Sequence, residues 1–412
     1  MSFESLSLPE HLLKTLRIRG YVTPTPIQKL TIGHVLEGRD LIGVAQTGTG
    51  KTAAFAWPII MQLNRTKAAA HPCVLVLAPT RELAVQVAEA FKTYAQMSPR
   101  AIPVLAVIGG EYLDEQINAL HRGVDIVVAT PGRLLDLVER DEIDLGGVQT
   151  LVLDEADKLL NLGFADELDA LLNELPAKRQ NLLFSATFSP KVEALSARFL
   201  NDPVRVEVEG EAPTVEKITQ RVFEVDAHAR RALLQYLVTR ENWTQVLVFV
   251  STKTKARNLA RKLSKAGISA LDFHGDLHQD ARTDNLKAFK RQKFRVLVST
   301  DIAARGIDID KLACVVNFDL PRSPEDYVHR IGRTGRAGEV GVAISFIDHD
   351  SAAHFKLIEK RAGVHLKREQ IDGFELSGAA PKPQKGGAPV KGKRPSKKDR
   401  LRAAGGKNTL DD

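Results

Sequence analysis

Short apolar runs alternate along most of the chain with longer segments that carry apolar residues at helical spacing. In the first half, segments such as 81–96 and 158–174 show this helical pattern. Continuous apolar strands that alternate with helices are typical of an α/β fold, in which helices cover both faces of a parallel sheet. The pattern predicts strands at 40–45, 73–78, 104–108, 125–129, 150–153 and 181–184.

The alternation stops once and then begins again. A break at 201–203 is followed by an acidic stretch at 207–215 without clear periodicity. We interpret 206–217 as a linker between a first domain at 1–205 and a second domain at 218–370. In the second domain the pattern predicts strands at 221–225, 246–250, 268–273, 295–299, 314–318 and 342–346.

Length and composition agree with two globular domains. A chain of 412 residues is too long for one ordinary core, and 43% hydrophobic with 26% charged residues is typical of soluble proteins. We expect neither a membrane span nor secretion, and therefore a cytoplasmic location. Cys73 and Cys314 lie far apart in apolar runs, which predicts buried thiols without a disulfide or metal framework.

The formal net charge of +7 is concentrated at the C-terminus. Residues 381–412 contain ten Lys or Arg and three Asp, so they carry the whole excess. Because 371–412 is rich in Pro, Gly, Ala and Lys and offers little to bury, we predict a disordered tail. The tail is interpreted as a mobile arm that binds polyanions, with a merely solubilising tail as the alternative.

A glycine-rich segment between the first predicted strand and a helix has the pattern of a phosphate-binding loop. Glycines at 48 and 50 let backbone N–H groups turn toward phosphates, Lys51 would reach the β- and γ-phosphates, and Thr52 would ligate Mg²⁺. The alternative is a strand-to-helix turn that binds nothing. The segment consists of Ala45, Gln46, Thr47, Gly48, Thr49, Gly50, Lys51 and Thr52.

Acidic residues follow the apolar run at 151–153. Asp154 should hold Mg²⁺, and Glu155 is placed to orient and deprotonate an attacking water. Such acids alone are often only a solvated turn. Together with the phosphate loop upstream, they indicate hydrolysis of a nucleoside triphosphate.

The ordered set of motifs resembles the DEAD-box family of ATP-dependent RNA helicases in superfamily 2, over residues 1 to about 365. The resemblance implies two tandem RecA-like domains, each a parallel sheet flanked by helices, with the nucleotide between them. The segment 1–29 would form the adenine-recognition part. The motifs lie at 20–28, 45–52, 79–83, 109–110, 130–133, 154–157, 185–187, 248–253, 279–282, 299–308 and 329–336.

The resemblance assigns further residues to the ATP site. Gln28 would read the adenine edge. Tyr21 would stack on the base, with Phe3 packed nearby. At the position of Tyr21 the family more often has Phe. Thr23 belongs to the same segment. Asp308 would bind the ribose or another group on the ATP side. Arg333 and Arg336 resemble arginine fingers that reach the γ-phosphate when the domains close.

Two more groups follow from the same resemblance. The first would couple hydrolysis to domain closure and comprises Asp157, Ser185, Thr187 and His329. The second would contact RNA phosphates and 2′-hydroxyls without reading sequence. It comprises Arg81, Gly110, Thr130, Arg133, Gly163, Ser251, Lys253, Thr300 and Gly306.

The resemblance predicts an RNA-stimulated ATPase that closes on ATP and RNA and unwinds short duplexes locally. A translocating DNA helicase is one alternative, and an ATP-dependent RNA clamp or assembly scaffold that remodels protein–RNA complexes is another. The compact size resembles bacterial members and suggests the RhlE-like branch. We expect a monomer, and roles in ribosome assembly, RNA degradation or cold adaptation stay open.

Overall fold

Two parallel sheets, one in each half of the chain, form the framework of this computed structural model. The structure describes residues 3–6, 8–46, 48–65, 71–208, 218–304, 312–335 and 341–378. Each sheet has seven strands, and every pairing within the two sheets is parallel. Because parallel strands need crossover connections, helices lie between them along the chain.

The first sheet has the strand order β3-β4-β2-β5-β6-β1-β7. Its strands are β1 (Leu41–Val44), β2 (Val74–Leu77), β3 (Val104–Val107), β4 (Ile126–Ala129), β5 (Thr150–Leu153), β6 (Gln180–Ser185) and β7 (Val204–Glu207). A 3₁₀ turn at Phe3–Leu6 precedes helices α1 (Glu10–Ile18), α2 (Pro26–Leu36), α3 (Lys51–Leu63), α4 (Arg81–Ala95), α5 (Leu113–His121), α6 (Pro131–Glu139), α7 (Ala156–Asn161), α8 (Ala165–Asn173) and α9 (Pro190–Phe199).

The second sheet has the equivalent order β10-β11-β9-β12-β13-β8-β14. Its strands are β8 (Ile218–Glu224), β9 (Val246–Phe249), β10 (Ala270–Phe273), β11 (Val296–Ser299), β12 (Cys314–Asn317), β13 (Gly341–Ile347) and β14 (Arg368–Glu369). The helices are α10 (Arg230–Arg240), α11 (Lys253–Lys265), α12 (Gln279–Lys290), α13 (Asp301–Ala304), α14 (Pro324–Ile331) and α15 (His349–Ala362).

The centre of each sheet is buried on both faces, as its continuous apolar strands predict. Strands β1, β2, β4 and β5 have every residue buried, and so do β9, β11 and β12. Packing is tight at Gly43, since a Cβ there would lie 2.6 Å from the ring of Phe184 on the paired strand. In such sheets the loops after the strands meet at the carboxyl edge, where ligands bind.

All twelve predicted strands are confirmed, with ends that shift by up to three residues. Two strands were missed, β7 and β14, because an edge strand of four residues and one of two carry little apolar signal. The predicted linker starts too early, since Val206 and Glu207 belong to β7, which pairs with β1. Its remaining part, 209–217, lies outside the described residues.

The predicted single helix at 158–174 is wrong. The structure has two helices there, α7 and α8. Gly163 lies between them with φ of 92°, a left-handed conformation that ends a helix and that glycine adopts without strain. The periodicity of the two helices runs on across the break, which explains why the sequence pattern concealed it.

The predicted tail also starts too early. Residues Ile371 and Phe374 pack against the core of the second sheet, and the ring of Phe374 lies 5.6 Å from that of Tyr236. Ser377 Oγ donates a hydrogen bond of 2.6 Å to Asp226. The folded part of the second domain therefore extends to residue 378, and 379–412 lies outside the described residues.

Two smaller expectations concern the cysteines and a membrane span. Both Cys73 and Cys314 are buried free thiols, as predicted. Within the described residues, no helix is long and apolar enough to cross a membrane.

The packing of 371–378 predicts that truncation after residue 370 destabilises the second domain, whereas truncation after residue 378 does not. Removing the Phe374 ring and the Ser377–Asp226 bond should lower the free energy of unfolding by about 2–4 kcal/mol. Denaturant unfolding of both truncated chains measures this difference. If the two truncated chains were equally stable, residues 371–378 would not belong to the folded domain, and the tail would begin at residue 371 as the sequence predicts.

Candidate active site

The loop between β1 and α3 has the backbone of a phosphate-binding turn. Gly48 and Gly50 have φ of 85° and 90°, and Gly50 directly precedes the first residue of α3. N–H groups at a helix N-terminus form a binding site for anions. Lys51 is buried there, and its Nζ donates to the carbonyl of Ala45 at 2.7 Å. Burial lowers the pKa of Lys51, while Asp154 raises it.

Hydrogen bonds within the same loop fix its shape. Thr49 Oγ1 donates to the carbonyl of Gln46 at 2.7 Å. Ala45 and Gln46 thus act through their backbone carbonyls, and Thr52 lines the cleft one residue into α3. Thr47 lies outside the described residues.

Gln28 connects the loop to the N-terminal segment. It is 5% exposed, its Oε1 accepts from the backbone N–H of Thr25, and its Nε2 donates to the carbonyl of Gly50 at 3.2 Å. A Cβ on Gly50 would lie 2.3 Å from Gln28 Nε2, so this approach requires glycine. Without the family resemblance, Gln28 would be interpreted as a surface amide, which the burial contradicts.

Tyr21 stands at the outer end of the cleft, 46% exposed, with Thr23 beside it in the lining. The ring of Trp57 supports Tyr21 at a centroid distance of 6.4 Å. Phe3 packs on the same Trp57 ring at 5.5 Å and is 5% exposed. Phe3 therefore lies near Tyr21 through the shared contact with the indole, and its place in the ATP site stays a prediction.

Asp154 and Glu155 lie side by side after β5, each 2% exposed. Glu155 has φ of 53°, an uncommon conformation for a residue with a side chain, at the turn into α7. Burial, and secondarily the charge of Glu155, raise the pKa of Asp154 to about 6, although Lys51 opposes the shift. Glu155 is paired with Lys158, whose Nζ lies 2.7 Å from Glu155 Oε2.

A cleft of about 610 Å³ joins these groups. Arg333, which follows α14 of the second domain, also lines it. The two domains therefore contribute to one site. Predicted residues in the lining are Tyr21, Thr23, Gln28, Gly48, Gly50, Lys51, Thr52, Asp154, Glu155 and Arg333. Arg336 and Asp308 lie outside the described residues.

Three of the predicted coupling residues, Asp157, Ser185 and Thr187, are joined by hydrogen bonds beside the acids. Thr187 Oγ1 donates to Asp157 Oδ2 at 3.0 Å, and Ser185 Oγ accepts from the backbone N–H of Asp157 at 3.3 Å. His329 on α14 lines a small cavity together with Lys158, and it lies near enough to Asp157 for that charge to act on its pKa. Burial and then the charge of Lys158 lower the pKa of His329.

A buried ion pair also joins the two domains. Arg282 of α12 contacts Glu82 of α4 at 2.5 Å, and their side chains are 5% and 6% exposed. Arg282 also donates to the carbonyl of His274 at 2.9 Å, so its guanidinium is held in a fixed orientation. Since breaking a buried pair is strongly destabilising, this contact favours the closed arrangement of the domains.

Three of the residues expected to contact RNA lie close together on the first domain, namely Arg81, Gly110 and Arg133, and the charges of Glu82 and Arg282 act on Arg81. Arg81 lies against the glycines at 109–110, and a Cβ on Gly110 would be 2.3 Å from Arg81 Nη1. Burial, then the charge of Arg282, lower the pKa of Arg81. Arg133 is half-buried and approaches the carbonyl of Glu111 at 3.5 Å. Thr130 precedes α6, and Gly163 separates α7 from α8, as described above.

The second domain presents the remaining candidates after β9 and β11. The N–H of Ser251 donates to Asp319 at 2.7 Å, Lys253 pairs with Asp276, and the Thr300 carbonyl accepts from Ala304. Gly306 lies outside the described residues.

Comparison with known proteins agrees with this geometry. A family model described as DEAD/DEAH box helicase matches residues 25–195, and one described as helicase conserved C-terminal domain matches 229–338. The DEAD-box ATP-dependent RNA helicase CshA of Geobacillus kaustophilus is 41% identical over 89% of this chain and 78% of its own length. The chain belongs to the DEAD-box family of ATP-dependent RNA helicases.

Other members extend the likeness. The ATP-dependent RNA helicase RhlB of Pseudomonas syringae is 42% identical over 89% of this helicase and 94% of its own length. Dbp5 of S. cerevisiae, solved with RNA and ADP BeF3, is 32% identical over 90% of this helicase and 96% of that chain, with a TM-score of 0.78. The RhlE-like branch stays a prediction.

The helicase also uses residues that the sequence did not single out for the site. Lys158 follows the Asp-Glu-Ala-Asp motif and lines the cleft. Glu82 and Arg282 lie inside recognised motifs, but they are 200 residues apart in sequence and lie in different domains. Their contact depends on how the two domains are placed relative to each other. Sequence periodicity carries no signal for such a pair.

The pKa of Asp154 predicts that stability depends on pH. Because its pKa is about 6 in the folded chain and 3.8 ordinarily, the folded state holds the proton more tightly. Ionising the buried carboxyl therefore lowers stability as pH rises from about 4 to 6, by up to about 3 kcal/mol above pH 6.

Asp154→Asn should accordingly raise the thermal unfolding temperature at pH 7.5 without ATP or Mg²⁺, while it abolishes ATP hydrolysis. Calorimetry across pH measures the effect, and the two proteins should converge below about pH 4 because both side chains are then neutral. A less stable Asn variant at pH 7.5 would contradict the account.

Proposed function

We propose that this helicase hydrolyses ATP in the cleft between its domains and couples hydrolysis to RNA-dependent closure. The observation that carries the proposal is that Arg333 of the second domain lines the same cleft as Lys51 and Glu155 of the first. Neither domain alone brings together the phosphate loop, the acids and this guanidinium. Closure would thus complete the active site.

Each end of the cleft suits one end of ATP. The exposed ring of Tyr21 can stack on adenine, and Gln28 and Thr23 supply polar groups beside it. The N–H groups at 48–52 and the ammonium of Lys51 suit the phosphates. We also assign Asp308 to the ATP site, and Phe3 as a residue that supports Tyr21 through Trp57.

Mg²⁺ fits the donor set at the phosphate end. Asp154 is a buried carboxyl whose pKa is raised chiefly by burial, and Thr52 offers a hydroxyl in the same cleft. One or two protein oxygens together with substrate phosphates are typical of Mg²⁺ sites. When bound there, Mg²⁺ would neutralise charge on the phosphates.

The protein groups divide the remaining work. Glu155 would orient the attacking water and accept its proton. Arg333, with Arg336, would stabilise charge on the transferred phosphoryl group. Asp157, Ser185, Thr187 and His329 would transmit the state of the cleft to the domain interface, because His329 enters that group only from the second domain.

RNA is proposed to bind along the carboxyl-edge loops of both domains, where the expected RNA-binding residues contact phosphates and 2′-hydroxyls. Closure would bend one strand and separate a short duplex. The alternative is an RNA clamp or scaffold that uses the same closure with little net unwinding. Strand displacement measured beside RNA retention distinguishes the two, and stimulation by single-stranded DNA equal to that by RNA would favour a DNA helicase.

The cellular setting is also proposed. We infer a monomer in the cytoplasm that acts in ribosome assembly or RNA degradation, with 379–412 as a basic arm on RNA. The concentration of ten basic residues in 381–412 supports the arm. RNA affinity of the full chain and of a chain ending at residue 378, measured against salt, tests it.

Replacing Glu155 tests the central proposal. Glu155→Gln should bind ATP and RNA as the wild type does but lower RNA-stimulated hydrolysis by about 10²–10⁴-fold, because the base is lost. The variant should also release RNA slowly. Steady-state ATPase and RNA dissociation rates measure both effects, and normal turnover would refute the role of Glu155.

A further inference from the structure

Lys158 has no role in the division of work proposed above, although it makes two contacts with the proposed base. Its backbone N–H donates to the Glu155 carbonyl at 2.9 Å, and its Nζ donates to Glu155 Oε2 at 2.7 Å. One residue thus holds both the peptide carbonyl and the carboxylate of Glu155. The pair spans i,i+3, a spacing that brings side chains together on a helix.

Burial distinguishes this pair from an ordinary surface ion pair. The side chains of Lys158 and Glu155 are 11% and 3% exposed. Glu89 and Lys92 form an i,i+3 pair of similar length, 2.9 Å, on α4, but their side chains are 62% and 48% exposed. Exposed pairs contribute little, whereas a buried charge needs its partner.

Charge in the cleft is divided between two lysines. Lys51 is the main positive influence on Asp154, and Lys158 is hydrogen-bonded to Glu155. When a nucleotide binds, Lys51 serves the phosphates. Lys158 then stays as the counter-charge of Glu155 within the first domain.

Restraint matters at this position because the backbone of Glu155 is unusual. Glu155 has a left-handed φ of 53° in the turn between β5 and α7. Asp157 on α7 lies next to Lys158. From the second domain, the charged side chains that line a cavity with Lys158 are Asp301, Asp326, Arg330 and Arg333, beside the imidazole of His329. Closure of the second domain therefore encloses the ammonium group further.

We propose that Lys158 is a positioning residue for catalysis, which holds the Glu155 carboxylate in the orientation that accepts a proton from the attacking water. The proposal rests on the role of Glu155 proposed above. Lys158 acts through Glu155 and is not required for nucleotide or RNA affinity.

Lys158→Met, which keeps length and loses charge, tests this. RNA-stimulated kcat should fall about 10–100-fold, since misplacing a reacting group has effects of this size, while KM values for ATP and RNA stay near those of the wild type. Lys158→Arg, which restores a donor and a charge, should recover most of kcat. Lys92→Met is the matched control and should leave kcat unchanged.

A second comparison separates positioning from an independent effect. In the Glu155→Gln background, single-turnover hydrolysis should be unchanged by Lys158→Met, because the carboxylate that Lys158 holds is already absent. An equal loss in both backgrounds, a wild-type kcat for Lys158→Met, or a rise in KM alone would overturn the proposal. If Lys158→Met does not fold, Lys158→Gln replaces it, and a kcat for Lys158→Gln equal to that of Lys158→Arg would overturn the proposal equally.

Normal hydrolysis by Glu155→Gln is a different failure. It would remove the base assignment and with it the proposed function of Glu155, whatever the Lys158 variants do. A slow Glu155→Gln enzyme with unaffected Lys158 variants would remove only the positioning role.

Discussion

Two adjacent buried carboxylates at the end of β5 impose the main electrostatic constraint on this helicase. Asp154 and Glu155 are each 2% exposed, and burial of like charges is unfavourable unless positive charge is close. Lys51 and Lys158 supply that charge within the first domain. Burial nevertheless raises the pKa of Asp154 to about 6, against the opposing charge of Lys51. The site is thereby prepared for further cations.

The second domain contributes one further cation, Arg333. Arg330 anchors the end of α14 from inside, where it is 3% exposed, pairs with Asp301 at 2.5 Å and lies over the ring of Phe249. Arg333, about one turn further along, lines the cleft. The two arginines therefore differ in role, since Arg330 is held inside the second domain and Arg333 lines the cleft. The interdomain pair of Glu82 and Arg282 holds the domains together at a second point.

Much of the fold, and the local motifs that line the site, could be predicted from the sequence. Buried parallel strands are continuous apolar runs, so all central strands were found, and the phosphate loop is a local pattern whose glycines have the positive φ values it needs. Features that depend on tertiary contact escaped prediction. Phe3 lies beneath Trp57, Phe374 packs back on Tyr236, and Glu82 meets Arg282 from another domain, none of which is encoded by local periodicity.

The account depends on the active site being divided between two domains, and single-turnover hydrolysis by Arg333→Met tests that most directly. With saturating ATP and RNA, the account predicts a rate lower by about 10³-fold or more, the size of an arginine finger's contribution, with RNA and ATP affinity close to that of the wild type. A wild-type hydrolysis rate in this variant would show that the first domain carries a complete active site and would contradict the account.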